Sequence, residues 1–150
     1  MRSRPRHKGG MMLVQLLDPD PILRDDPVRP RISPKRRIEG GNRCVYAWVE
    51  DRQICSVVCV SQPESIPKTE RELFVTGWIP NSNFVVLYSV WSYKPKCGSK
   101  LVNALVKRIR NKGWFRIVTM SPKTAMARQF HLKNGAKVLQ VNKTTVNYEY

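Results

Sequence analysis

A nearly continuous apolar stretch, "NFVVLYSVW", occupies residues 83–91. A run of that length without a polar face fits a central strand covered on both sides. "WFRIVTM", residues 114–120, reads as a second buried strand. Between them lies "GSKLVNALVKRIRNKG", where Leu101, Leu105 and Ile109 recur every four residues beside Val102 and Val106. That spacing predicts an amphipathic helix of about three to four turns. Lys107, Arg108, Arg110 and Lys112 suit its C-terminal end, and Gly113 can terminate it. "SPKTAMARQFHLKNG" predicts another helix, with Ser121 as N-cap, Pro122 at the first helical position and Gly135 at the stop.

The flanks carry a different pattern. "NRCVYAWVEDRQICSVVCVSQ" is two β-rich runs around a turn near Glu50-Asp51-Arg52, a hairpin. "KVLQVN" and "TTVNYEY" predict a closing hairpin, and "MMLVQLL" a first strand. "SIPKTERELF" can form a short helix through Leu73. Residues 18–40 are rich in proline and charge and predict irregular structure with a short helical turn, wrapped over the domain or partly mobile. The order hairpin, strand, helix, strand, helix, hairpin implies an α/β (α+β) fold. Its sheet is mixed and twisted, with helices packed on its faces. The expected organisation is a single domain: an N-terminal arm and first strand over 1–40, packed on a main body over 41–150.

Charge narrows the chemistry. The net charge is +16. Residues 1–40 carry ten basic and five acidic side chains; residues 41–150 carry seventeen and six. The folded part is therefore itself basic. No Asp or Glu occurs between Glu72 and Glu149, which excludes paired-carboxylate catalysis and carboxylate metal sites within that segment. Its positive field attracts phosphates, nucleic acid or acidic partners. Cys44, Cys55, Cys59 and Cys97 lack paired C-x-x-C spacing, so they read as buried reduced thiols and no metal is expected. No apolar run approaches the roughly 20 residues of a membrane helix. The apolar piece "MMLVQLL" is followed by Asp-Pro, with no small-residue cleavage site. An intracellular, cytoplasmic protein without membrane partners is expected.

The stretch "SYKPKCGSKL", residues 92–101, joins the apolar strand to the amphipathic helix. A tight turn into a helix points free backbone N–H groups outward, and with the helix dipole these favour an anion. Gly98 allows close backbone approach, Ser99 offers a hydroxyl, and Lys94, Lys96 and Lys100 add positive charge. Lysines in a first helical turn oppose the dipole, which is better explained by a bound anion than by helix stability.

Taken together, these elements resemble the GNAT acyltransferase superfamily over residues 44 to 150. "YKPKCGSKLVNAL" stands where that family has its Gln/Arg-x-x-Gly-x-Gly/Ala loop. Tyr93 takes the Gln/Arg position, Lys96 the first glycine, and Gly98 matches the last. "TAMARQFHLKNGA" is similar to the family's Asn-x-x-Ala-x-x-Phe/Leu-Tyr helix. There Thr124 replaces Asn, Ala127 and Phe130 match, and His131 stands at the Tyr position. The combination is also similar to uncharacterised members encoded by viruses of bacteria, for which the location would be the host cytoplasm.

The resemblance implies transfer of an acetyl group from acetyl-CoA, as co-substrate, to an amine acceptor that the sequence does not identify, whether a small molecule or a protein. It places the coenzyme A diphosphate on Tyr93, Lys94, Lys96, Cys97, Gly98, Ser99 and Lys100, with Thr124 and Ala127 nearby. The pantetheine arm would pair with the strand backbone at Tyr88, Ser89, Val90 and Trp91. A backbone N–H near Val90 would polarise the thioester carbonyl. His131 takes the place of the general acid, with Tyr88 and Tyr93 as fallback donors. No general base is evident, which leaves Glu50, Glu64, Glu70, Glu72, Glu149 or the chain terminus. Two readings compete: a protein that keeps this fold without turnover, such as an assembly factor of a virus particle, and a nucleic-acid-binding protein using the basic face and arm.

Overall fold

The computed structural model describes residues 10–74, 83–113 and 115–150. The basic head at residues 1–9 and Trp114, the expected start of the second buried strand, lie outside the described residues. The elements are β1 (Met11–Leu16), β2 (Arg43–Glu50), β3 (Gln53–Ser61), α1 (Glu70–Leu73), β4 (Phe84–Ser92), α2 (Cys97–Lys112), β5 (Arg116–Thr119), β6 (Ser121–Pro122), α3 (Ala125–Lys133), β7 (Lys137–Val141) and β8 (Thr145–Glu149). They form an eight-stranded open sheet in the order β1-β2-β3-β4-β5-β8-β6, with β7 also on β8. Among the described residues only β4 and β5 pair in parallel, joined by the crossover that α2 supplies. The fold is thus the expected mixed α+β class.

Each face of the sheet has its own cover. The Leu101, Val102, Leu105, Val106 and Ile109 stripe of α2 packs on Val58, Val60, Val85, Leu87 and Ile117. The opposite face packs Val45, Val57, Cys59, Val86, Tyr88 and Val118 against Leu23, Ile32, Leu73 and Phe74. Strand β4 contributes to both layers, which is why its sequence lacks a polar alternation. The β2–β3 hairpin turns at Asp51 and Arg52, both at positive φ (52° and 66°), the conformation that matches strand twist in a two-residue turn.

One expectation needs correction. Ser121 and Pro122 do not open α3: they form β6 and pair with Val146 and Thr145 of β8. Ser121 Oγ is 2.9 Å from Thr119 Oγ1, so its hydroxyl is engaged in the sheet. Thr124 is the true N-cap, its Oγ1 accepting from Ala127 N at 3.1 Å. The proline-rich segment lies over the domain and contains the expected kind of helical turn. It makes two short 3-10 turns (Pro21–Asp25 and Lys35–Arg37) and sends charged side chains inside. Asp26 and Arg37 form a fully buried ion pair at 2.8 Å. Arg37 also donates to the carbonyls of Arg29 and Ile32. No helix among the described residues is long and apolar enough to cross a membrane.

Candidate active site

The site begins where β4 and β5 part. Their parallel pairing runs from Phe84↔Arg116 to Leu87↔Thr119, and Met120 N still donates to Leu87 O. Beyond that point β4 stays paired with β3 alone, and the register slips at Tyr88, which leaves that residue bulged. Tyr88, Ser89, Val90 and Trp91 therefore form one arm of an open fork. Tyr93 N donates to Cys55 O on β3 at 2.8 Å. Since strand N–H directions alternate, those of Val90 and Ser92 point the other way, into the fork. This is the orientation a thioester carbonyl requires of a backbone donor.

The fork opens into a cleft of about 370 Å³. Ser89, Val90, Trp91 and Ser92 form one wall, Gly98 of α2 lies at one end, and Thr124, Ala127, Phe130 and His131 of α3 face them. Pro27 and Val28 of the N-terminal segment close it from below. The lining contains no carboxylate among the described residues.

At the head of α2 the backbone turns through Lys96, which sits at φ 68°, the left-handed conformation. This is the position where the resembling family carries its first glycine, and the turn demands the same conformation whichever residue stands there. Cys97 follows with its N–H on Lys94 O, while the N–H groups of Gly98 and Ser99 meet no acceptor among the described residues. Two free donors at the N-terminus of a helix of 16 residues make an anion cradle. Gly98 also serves packing: a Cβ there would lie 3.2 Å from Phe130 Cε1. The missing side chain lets α3 close against α2 at the mouth of the cleft.

The charged and aromatic candidates divide into those near the cradle and those engaged elsewhere. Lys94 and Lys96 are exposed beside it. Lys100, read as an anion ligand on the ground that nothing else explains it, has a partner in Glu50 at 2.9 Å. Glu50 also accepts from Trp48 Nε1, and these two bonds hold its carboxyl below the usual range. Cys97 is buried and faces Cys55 and Glu50, away from the cleft. Tyr93 donates its hydroxyl to Asp25 at 2.7 Å and accepts from Trp91 Nε1, tying β4 to the N-terminal segment. Burial pushes that phenol up to about 12. The Tyr88 ring packs edge-on against Phe74 in the layer opposite α2, where burial raises its phenol well above the ordinary value.

His131 is buried on α3 with its ring over Tyr148 and beside Phe130. Its Nδ1 lies 2.7 Å from the Tyr150 hydroxyl. Burial lowers its pKa to about 4, so the ring is neutral at pH 7. It cannot hold a reservoir of imidazolium there, contrary to the partial protonation expected of an ordinary histidine.

One functional element escaped sequence reasoning. Arg29 enters the fork from the N-terminal segment. One guanidinium nitrogen donates to Tyr88 O on β4, and the other donates to Met120 O beyond β5 at 2.9 Å. It thus satisfies carbonyls that the parting strands leave behind. Ser89 Oγ is 3.5 Å away, and Glu70 Oε2 is 3.7 Å from Nε. The only hint in the sequence is an arginine between two prolines, a context that reads equally well as solvated loop.

No protein-family model and no curated protein sequence matches the chain. Solved structures do. The malonyl-CoA decarboxylase of Cupriavidus metallidurans superposes with a TM-score of 0.69 at 14% identity, over 93% of this chain and 60% of that one. The GNAT domain of PAT from S. lividans gives 0.67 at 11% identity, over 99% of each chain. The PaiA N-acetyltransferase of Thermoplasma acidophilum, in complex with coenzyme A, gives 0.52 at 15% identity, over 72% of this chain and 60% of that one. The chain spans 35% of a second malonyl-CoA decarboxylase, from Agrobacterium vitis, so it is shorter than several of the structures it matches. With its open eight-stranded sheet, its fork and its cradle at the head of α2, this chain has the fold of the GNAT acetyltransferases.

Proposed function

We propose that this chain binds acetyl-CoA in the cleft between β4 and α3 and transfers the acetyl group to an amine. The observation that carries the reading is the fork, with the free N–H groups of Gly98 and Ser99 at one end and His131 at the other. The diphosphate sits on the α2 cradle, with Lys94 and Lys96 beside it. The pantetheine arm pairs with the open edge of β4, and the carbonyl oxygen takes the N–H of Val90. The amine attacks the carbonyl carbon, the C–S bond breaks, and the thiolate leaves. A Tyr150 hydroxyl donating to Nδ1 of His131 keeps the ring's proton on Nε2, from which the neutral ring can donate a hydrogen bond that stabilises the departing thiolate without giving up the proton. Glu70, paired with Arg29 at 3.7 Å, is the carboxylate we assign to accept the proton of the amine.

Decarboxylation of a dicarboxylic acyl-CoA is a second reading, favoured by a cleft lining that holds no carboxylate among the described residues. That reaction breaks a C–C bond, releases carbon dioxide and protonates the resulting thioester enolate, so it needs a proton donor and no amine base.

A thermal-shift series with acetyl-CoA, malonyl-CoA, CoA and buffer tests binding, because a ligand of the native state raises the melting temperature. Calorimetry showing no heat with any acyl-CoA overturns the proposal. Release of free CoA thiol only when an amine is present supports transfer; conversion of malonyl-CoA to acetyl-CoA without an amine supports the second reading instead.

A further inference from the structure

Three metal-ligating side chains from separate elements converge behind the cradle. Glu50 closes β2, Cys55 lies on β3, and Cys97 opens α2. Their ligating atoms all lie within 4.8 Å of one another, with Cys97 Sγ 3.9 Å from Glu50 Oε2. Both thiols are reduced and buried, while Glu50 reaches the surface beside Lys100. Thiolate ligands of a tetrahedral zinc ion are spaced about 3.8 Å apart, given Zn–S bonds of about 2.3 Å. The observed spacing needs less than about 1 Å of contraction to reach it.

We infer that Glu50, Cys55 and Cys97 form a binding site for a thiophilic divalent cation such as zinc, with a fourth position open to solvent. The surroundings suit it. Cys97 is the first residue of α2, where the helix dipole counters part of the burial and of the Glu50 charge that push its thiol up. Trp48 Nε1 donates to Glu50 at 2.8 Å and Ser56 Oγ to the Cys97 carbonyl at 2.7 Å, which fixes the groups that carry two of the ligands. Binding replaces two S–H protons with two S–metal bonds, so two protons leave for each ion and affinity rises with pH. The carboxylate supplied to the ion is the one that now holds Lys100, so loading releases Lys100 at the rim of the anion cradle. The metal would thereby tie β2, β3 and α2 together directly behind Gly98. The spacing of cysteines along the chain gives no sign of this, because the ligands come from three elements.

The test is a cobalt(II) titration of the reduced full-length protein, followed by zinc competition. The expected result is one tetrahedral cobalt per chain, with a thiolate-to-cobalt charge-transfer band that zinc abolishes. Cys55→Ser and Cys97→Ser should each lose the charge-transfer intensity of one thiolate. Glu50→Gln, which keeps the side chain's shape and an oxygen that can accept from Trp48, should weaken binding by about tenfold or more. Cys44→Ser should change nothing. Absence of a charge-transfer band in the unsubstituted protein overturns the inference, and so does a band that survives both Cys55→Ser and Cys97→Ser. Because no acyl-CoA enters the experiment, its outcome is independent of the proposed transferase reading.

Discussion

The two flanks of the fork are built from opposite materials. On the α2 and α3 flank the cleft is lined by backbone, small residues and apolar rings, with a neutral His131 as its buried titratable group. On the flank of the N-terminal segment, Asp26, Arg29 and Arg37 are buried as charges, each satisfied by backbone carbonyls, by backbone N–H groups or by one another. The difference shows a division of labour. In the cleft, free backbone donors stand where charged side chains would otherwise line the wall. The strands that part to make that room leave carbonyls unpaired, and the buried Arg29 answers them from the other side, itself held by Arg37 through its own carbonyl.

The comparison breaks first, and hardest, at Asp26. Replacing it with Ala leaves Arg37 charged and without its carboxylate in a fully buried position, which should cost about 3–5 kcal/mol. Denaturant unfolding measures this. A loss below about 1 kcal/mol would show that the carbonyls of Arg29 and Ile32 alone satisfy Arg37, and that the arm flank does not depend on its ion pair.

The second test is pH. His131 has a folded pKa of about 4 against an unfolded value of about 6.5. Its folded pKa is depressed, so the unfolded chain binds the proton first. Stability should therefore fall as pH drops from about 6.5 towards 4, by roughly 3 kcal/mol in all, and be complete again above that window. His131→Gln should flatten this part of the stability profile. An unchanged slope in that variant would move the titration to the arm flank.

The smallest effect is at Lys96. Glycine there removes the left-handed strain of an L-residue, worth about 1 kcal/mol of added stability. The same change removes one positive charge from the cradle. A higher melting temperature with a smaller acetyl-CoA-induced shift would sharpen the view that this turn trades conformational ease for charge.

How far the sequence could be read follows the same division. The apolar runs and the four-residue stripe of α2 were legible because burial of one face or two leaves a direct imprint on residue order. The glycine stops after α2 and α3 were legible for local backbone reasons. Ser121-Pro122 was misread because a serine before a proline carries the signature of a helix start, whereas pairing with β8, a long-range contact, decides its conformation. Arg29 was illegible because it needs carbonyls that only the assembled strands supply, and Arg37 because its carbonyls and its Asp26 partner are gathered only by the folded path of the N-terminal segment. Glu50 and Lys100 lie 50 residues apart, so their pairing could not be anticipated either.

The parting of β4 from β5 gives one strand two unlike edges along the same few residues. Amide exchange with solvent deuterium should register this as an alternation. The N–H of Tyr93, held by Cys55, stays slow, while the N–H groups of Val90 and Ser92 exchange readily. A cofactor laid along the open edge would then slow only the second set, turning every other amide of a short strand into a reporter of occupancy.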